Sequence, residues 1–188
     1  MNITAEEIGL AVKTIRERAP VVHSITNYVV MNNTANALLA LGASPVMAHA
    51  EEEMEEMVAI ASALVINIGT LSPPWVRAMF RAAEAARKRK IPIVLDPVGA
   101  GATSYRTRTA RELVGAVPPE IIRGNASEIM ALVEEGAKTK GVDSGASSDA
   151  AVATGKILHR QCGSVVCISG ETDYTIGPAG VIQTRNGH

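Results

Sequence analysis

The run Ala63-Leu64-Val65-Ile66-Asn67-Ile68-Gly69 constrains the fold of this 188-residue chain more than any other stretch. It is apolar almost without alternation, the pattern of a short strand covered on both faces, and such strands belong to parallel sheets. Helix and strand patterns alternate along most of the remaining sequence. Thr4 with Glu7 makes a capping box for a helix that reaches about Arg18 and is closed by Pro20. A strand at 21–25, a helix at 27–41 ending on Gly42, a strand at 44–48 and a helix at 51–61 lead into the apolar run. Beyond it, a helix at 73–90 opens on Pro73 and Pro74, which suit a first turn. A strand at 91–96, a helix at 104–114, a strand at 118–122 and a helical pattern through Ile129, Met130, Leu132 and Val133 follow. Residues 136–148 are rich in glycine and serine and form the one linker-like stretch, ahead of a helix at 149–160 and a strand at 164–169. Two last strands, 173–176 and 181–185, joined across Gly177-Pro178-Ala179-Gly180, read as an antiparallel hairpin. Repeated βα units predict a doubly wound α/β fold: a mostly parallel sheet with helices on both faces and a C-terminal hairpin, in a single domain over 1–188. In such folds ligands bind outside the carboxyl ends of the strands.

Composition excludes several classes of function. With 47% hydrophobic and 20% charged residues the chain can bury a core of ordinary size. Eighteen basic residues against 19 acidic ones leave a net charge of −1, too little to gather nucleic acid or an anionic membrane. The densest basic cluster, Arg87-Lys88-Arg89-Lys90, ends a helical pattern, where it complements the dipole. One Trp, one Phe and three Tyr offer little for base stacking. Cys162 and Cys167 have no partner at zinc spacing and read as small core residues in a reducing compartment. No apolar run approaches membrane length, and Glu6 and Glu7 stand where a signal peptide is apolar, so a cytoplasmic location is expected.

Two motifs carry the chemistry. Arg123-Gly124-Asn125-Ala126-Ser127-Glu128 takes a strand into a helix N-terminus, whose unpaired N–H groups and positive dipole end favour anions. Asp96-Pro97-Val98-Gly99-Ala100-Gly101 takes another strand into a carboxylate and a glycine-rich turn. Asp96 and Glu128 beside flexible backbone are what a nucleotide phosphate and Mg²⁺ need. Each motif also has a plain reading: Asn125 or Ser127 caps a helix with Glu128 in its first turn, and Asp96-Pro97 ends a strand. Polar and glycine residues also mark the other strand ends, at Ser24 to Asn27, Met47 to His49, Asn67 to Thr70 and Ser169 to Glu171. No G-x-x-x-x-G-K-[ST] is present, which rules out a P-loop, and no G-x-G-x-x-G follows the first strand.

Ile25-Thr26-Asn27-Tyr28-Val29, the Asp96 motif continued to Ala102, the Arg123 motif and the Ser169-Gly170 turn, in this order and spacing, resemble hydroxyethylthiazole kinase, a thiamine-salvage family of the ribokinase-like superfamily. The first motif is specific to that family, whereas the N-x-x-E element is shared with sugar, pyridoxal and hydroxymethylpyrimidine kinases. The resemblance implies ATP- and Mg²⁺-dependent phosphorylation of the primary alcohol of 5-(2-hydroxyethyl)-4-methylthiazole. It implies Asn27, Met47 and Gly69 at the thiazole, Arg123, Asn125 and Ser169 at ATP, and Asp96 and Glu128 at Mg²⁺ as the catalytic pair. His23 and His49 match no family catalytic position and are expected to be structural or pocket-lining. The resemblance further implies a homotrimer with pockets at the subunit boundaries. Family members continue past the hairpin with a G-x-G-[CD] element that supplies the anion hole and the candidate base, whereas this sequence stops at Asn186-Gly187-His188. The expectation is therefore a kinase domain without its C-terminal portion, with negligible turnover by itself. The alternatives are a related kinase for a hydroxymethylpyrimidine-type alcohol and a non-catalytic nucleotide-binding module.

Overall fold

The structure, a computed structural model, describes residues 3–133 and 148–185. It divides into two compact units, one of Met1–Ile66 with Ser72–Pro92, the other of Asn67–Leu71 with Ile93–His188.

The first unit begins with α1 (Ala5–Arg18), entered through the expected capping box: the Glu7 amide donates to Thr4 Oγ1 and the Thr4 amide to the Glu7 carboxylate. Strand β1 (Val21–Ile25) pairs in parallel with β2 (Ser44–Val46) and with β3 (Ala63–Asn67), placing Val22 opposite both Pro45 and Ala63. Helix α2 (Met31–Leu41) starts four residues later than its apolar spacing suggested. The reason is Asn27, whose Oδ1 accepts the amides of Val29 and Val30 and so folds residues 28–30 into a turn. A 3₁₀ turn at Glu51–Glu53 precedes α3 (Met54–Ile60). Helix α4 (Pro73–Arg89) is capped by Ser72 and stops when Lys90 takes a left-handed φ of 58°. Its inner face repeats Trp75, Ala78, Met79, Ala82, Ala83 and Ala86, and the core of this unit gathers Ile25, Met54, Val58, Leu64 and Ile66. Neither α1 nor α2 has a fully buried residue, and Ile8, Leu10, Leu39 and Leu41 are exposed.

In the second unit β4 (Ile93–Asp96) starts after Pro92, which has no amide to give a ladder. Helix α5 (Ser104–Ala116) leads to β5 (Ile121–Asn125), which pairs in parallel with β4 and with β6 (Val165–Ser169). The sequence pattern had ended β5 at Ile122, where its apolar run stops. In the structure Arg123, Gly124 and Asn125 stay in the ladder opposite Cys167, Ile168 and Ser169. Helix α6 (Ala126–Val133) follows directly, and α7 (Ser148–Cys162) precedes β6. Most of the linker-like stretch 136–148 lies outside the described residues. The hairpin is as expected: β7 (Asp173–Gly177) runs antiparallel to β6 and to β8 (Gly180–Thr184). Among the described strand pairs, β1–β2, β1–β3, β4–β5 and β5–β6 are parallel and β6–β7 and β7–β8 antiparallel, so the strands are mostly parallel. Cys162 and Cys167 are free and half-buried rather than enclosed in the core.

Candidate functional site

In the second unit the predicted carboxylates stand at neighbouring strand ends and have different tasks. Glu128 is 4% exposed, and both of its oxygens are engaged: Oε1 accepts the Gly99 amide at 2.8 Å and Oε2 the Asn125 amide at 2.8 Å. Asn125 Oδ1 in turn accepts the Glu128 amide at 2.9 Å, so Asn125 and Glu128 form a reciprocal cap on α6. The capping reading of this motif is correct, and Glu128 additionally ties the glycine-rich turn after β4 to the end of β5. Gly124 makes this possible, since a Cβ there would lie 3.2 Å from Glu128 Oε2.

Asp96 is 22% exposed, and its Oδ2 accepts the Asn67 side-chain amide at 2.9 Å. Arg123, 57% exposed, brings a guanidinium nitrogen to 4.0 Å from the same oxygen. Burial raises the Asp96 pKa, and the charge of Glu128 raises it further; Arg123 and Asn67 pull it down without prevailing, and it settles at about 6. Asn67 also accepts the Gly69 amide at 2.9 Å, which links Gly69 to Asp96 through one side chain.

The turn between them is held by α5. Gly99 and Gly101 take φ of 75° and 89°, values that favour glycine. The Gly101 amide donates to Thr107 Oγ1 at 2.8 Å. The Arg106 guanidinium reaches across 38 residues to the Ile68 carbonyl at 2.7 Å, and it also donates to Gly69 and Val98 at 2.8 and 3.0 Å. Ser169 Oγ donates to the Gly124 carbonyl at 3.3 Å, and Ser169 shares with Arg123 the wall of a pocket of about 200 Å³ beside β6 and β7. That is smaller than the ~300 Å³ at which pockets begin to enclose a whole small ligand, so it suits part of one. The structure thus brings Gly69, Asp96, Arg123, Asn125, Glu128 and Ser169 into one hydrogen-bonded and charged neighbourhood.

Asn27 and Met47 belong to the first unit. Asn27 is buried with its oxygen in the turn described above, and Met47 is half-buried. The two histidines, expected to be structural or pocket-lining, also belong to the first unit. His23 is fully buried and donates from Nε2 to the Ala48 carbonyl at 2.9 Å; burial holds its pKa below the usual range, so the ring is neutral. His49 lies against the Trp75 ring with centroids 4.5 Å apart, and Tyr28 meets the same indole at 5.2 Å with the rings inclined by 58°.

The chemistry of the second-unit donors fits Mg²⁺. They are hard oxygens, and a cation would offset both the burial that chiefly raises the Asp96 pKa and the Glu128 charge that adds to it. Among the described residues no three acidic, histidine or cysteine side chains converge on one point. Arg106 was missed by the sequence reading, which marked Asn67 only as part of a polar strand end; each left a trace. Asn67 is the one polar residue in the run 63–69, and Arg106 sits in the first turn of a helix, where the dipole disfavours a cation.

The protein is a mostly parallel sheet whose strand ends carry two carboxylates, a glycine-rich turn and a capped helix N-terminus, and its fold is ribokinase-like. A pyridoxal kinase from Staphylococcus aureus shares the fold with a TM-score of 0.65 at 14% identity, over 87% of this chain and 71% of its own. A family model for the hydroxyethylthiazole kinase family matches residues 12–188. A hydroxyethylthiazole kinase of Syntrophus aciditrophicus is 65% identical over 189 residues, which is 100% of this chain and 70% of that protein. The structure of a hydroxyethylthiazole kinase protein from Pyrococcus horikoshii OT3 matches with a TM-score of 0.86 at 48% identity, over 97% of this chain and 68% of that one. The chain belongs to the hydroxyethylthiazole kinase family.

Proposed function

We propose that this protein transfers the γ-phosphoryl group of ATP to the primary alcohol of 5-(2-hydroxyethyl)-4-methylthiazole, a step of thiamine biosynthesis and salvage. Family membership across nearly the whole chain carries this reading. The carboxylates at adjoining strand ends support it, because phosphoryl transfer needs little covalent chemistry from the protein and much positioning of charge. Asp96 and Glu128 are the pair for Mg²⁺, Asp96 as the more accessible carboxylate and Glu128 as the group that fixes the turn beside it. Mg²⁺, when bound, supplies neutralisation of the charge on the phosphate oxygens. Arg123 and Ser169 serve the phosphates from the pocket wall they share, and Asn125 presents the capped start of α6 to them. Asn27 and Met47 serve the thiazole, where a soft thioether suits a sulfur heterocycle, and Gly69 serves it through its backbone.

A homotrimer with pockets at the subunit boundaries is the matching assembly. The exposed apolar side chains of α1 and α2, two helices without a fully buried residue, support a face covered by another copy. Among the described residues no helix is long and apolar enough to cross a membrane, and a cytoplasmic site of action agrees with ATP as substrate.

The deciding experiment is ADP release from MgATP by the full-length protein with and without the thiazole alcohol. Thiazole-dependent release that Asp96→Ala abolishes supports the reading. Release stimulated by a hydroxymethylpyrimidine instead, or ATP binding without any acceptor-dependent release, refutes it.

A further inference from the structure

Among the described residues the guanidinium of Arg106 makes three charge-assisted bonds, all to backbone carbonyls. Two of its acceptors, Ile68 and Gly69, are in the segment after β3, and the third, Val98, is in the turn after β4. Neither loop can shift relative to the other without stretching a short bond. Gly99 is shaped to this side chain: a Cβ there would stand 3.1 Å from Arg106 Cδ. The same two loops are linked a second time by the Asn67 side chain between Gly69 and Asp96. The Gly99 amide carries the connection on to Glu128.

We infer that Arg106 is a positioning residue for phosphoryl transfer, the clamp that sets the Gly69 loop and the Asp96 turn in mutual register. This rests on the reading of Gly69 and Asp96 given above. A lysine cannot replace it, because a single ammonium cannot span carbonyls of two loops as a planar fork does. The role is absent from the sequence motifs because Arg106 touches no reacting group. It acts through the backbone of loops that are placed to do so.

The test compares wild type, Arg106→Lys and Arg106→Ala in the thiazole-dependent assay, with amide hydrogen exchange measured on the same proteins. The expected result is a fall in kcat of about 100-fold in both variants with KM for MgATP within about threefold, the signature of lost positioning rather than lost nucleotide binding. Guanidinium ion added to Arg106→Ala should restore part of kcat, and methylammonium should not. In Arg106→Lys the Gly69 and Gly99 amides should exchange faster together, by about tenfold or more. Should Arg106→Ala fail to fold, Arg106→Lys decides alone. Wild-type kcat in Arg106→Lys, a loss confined to KM for MgATP, or unchanged exchange at either glycine overturns the inference. A wild type without thiazole-dependent turnover would instead refute the proposed function, and the exchange data would still decide the clamp.

Discussion

Replacing Asp96 by asparagine should stabilise the unliganded protein at neutral pH while abolishing turnover. The Asp96 pKa rises from 3.8 to about 6 on folding, through burial first and the Glu128 charge second. Below pH 3.8 the folded and unfolded chains both hold the proton. Between that value and about 6 the folded chain keeps a proton that the unfolded chain has released, so stability falls as pH rises; above about 6 the whole loss is in place. The gap between 3.8 and about 6, at 1.36 kcal/mol per pH unit, amounts to about 3 kcal/mol. Because the side chain is 22% exposed, solvent screening reduces this to about 2 kcal/mol. Asparagine keeps an oxygen to accept the Asn67 amide, so the substitution removes the charge and little else. For a chain of this length the gain corresponds to a rise in Tm of about 4–8 °C at pH 7.5, read by scanning calorimetry without nucleotide or metal. Near pH 4 the two proteins should melt within about 2 °C of each other, since the wild-type carboxyl is then protonated in the folded state. A lower Tm for the variant at pH 7.5, or a gain that persists undiminished at pH 4, would refute the reasoning. Saturating Mg²⁺ and ATP should raise the wild-type Tm and leave the variant's nearly unchanged.

Glu128→Gln should behave in the opposite way. Its new amide group must face either the Gly99 or the Asn125 N–H, leaving donor against donor in a buried place, at a cost of about 2 kcal/mol in urea unfolding. Gly155→Ala in α7 gains helix propensity but drives a Cβ to 2.6 Å from Ile176 Cδ1 and 3.0 Å from Ile168 Cδ1. Overpacking should prevail and lower stability by about 1 kcal/mol in the same unfolding assay.

Local chemistry made most of the scaffold legible. The Thr4–Glu7 box and the Ser72-Pro73-Pro74 start each fix a helix end with atoms a few residues apart, and both ends lie where the sequence puts them. The apolar runs at 63–69 and 164–169 announced their strands for the same reason. Errors came where a side chain acts on backbone against its own pattern. Asn27 delays α2 by folding a turn inside an apolar helical spacing, and β5 keeps polar residues in its ladder because β6 continues beside it. At the site, Asp96, Arg123, Asn125, Glu128 and Ser169 were legible as motifs. Glu128's bond to Gly99 was not, because it joins residues 29 apart. Arg106 stayed hidden, and Asn67 was legible only as a polar strand end, for the same reason: their partners are chosen by tertiary approach.

The segment Asn67–Leu71 leaves the strand run of the first unit yet packs as part of the second. No single cut of the chain therefore coincides with the boundary of the two units. A fragment beginning at Ile93 would hold Arg106 with one of its three carbonyl acceptors and Asp96 without the Asn67 amide. The missing partners, the Asn67 side chain and the Ile68 and Gly69 carbonyls, all lie in those five residues.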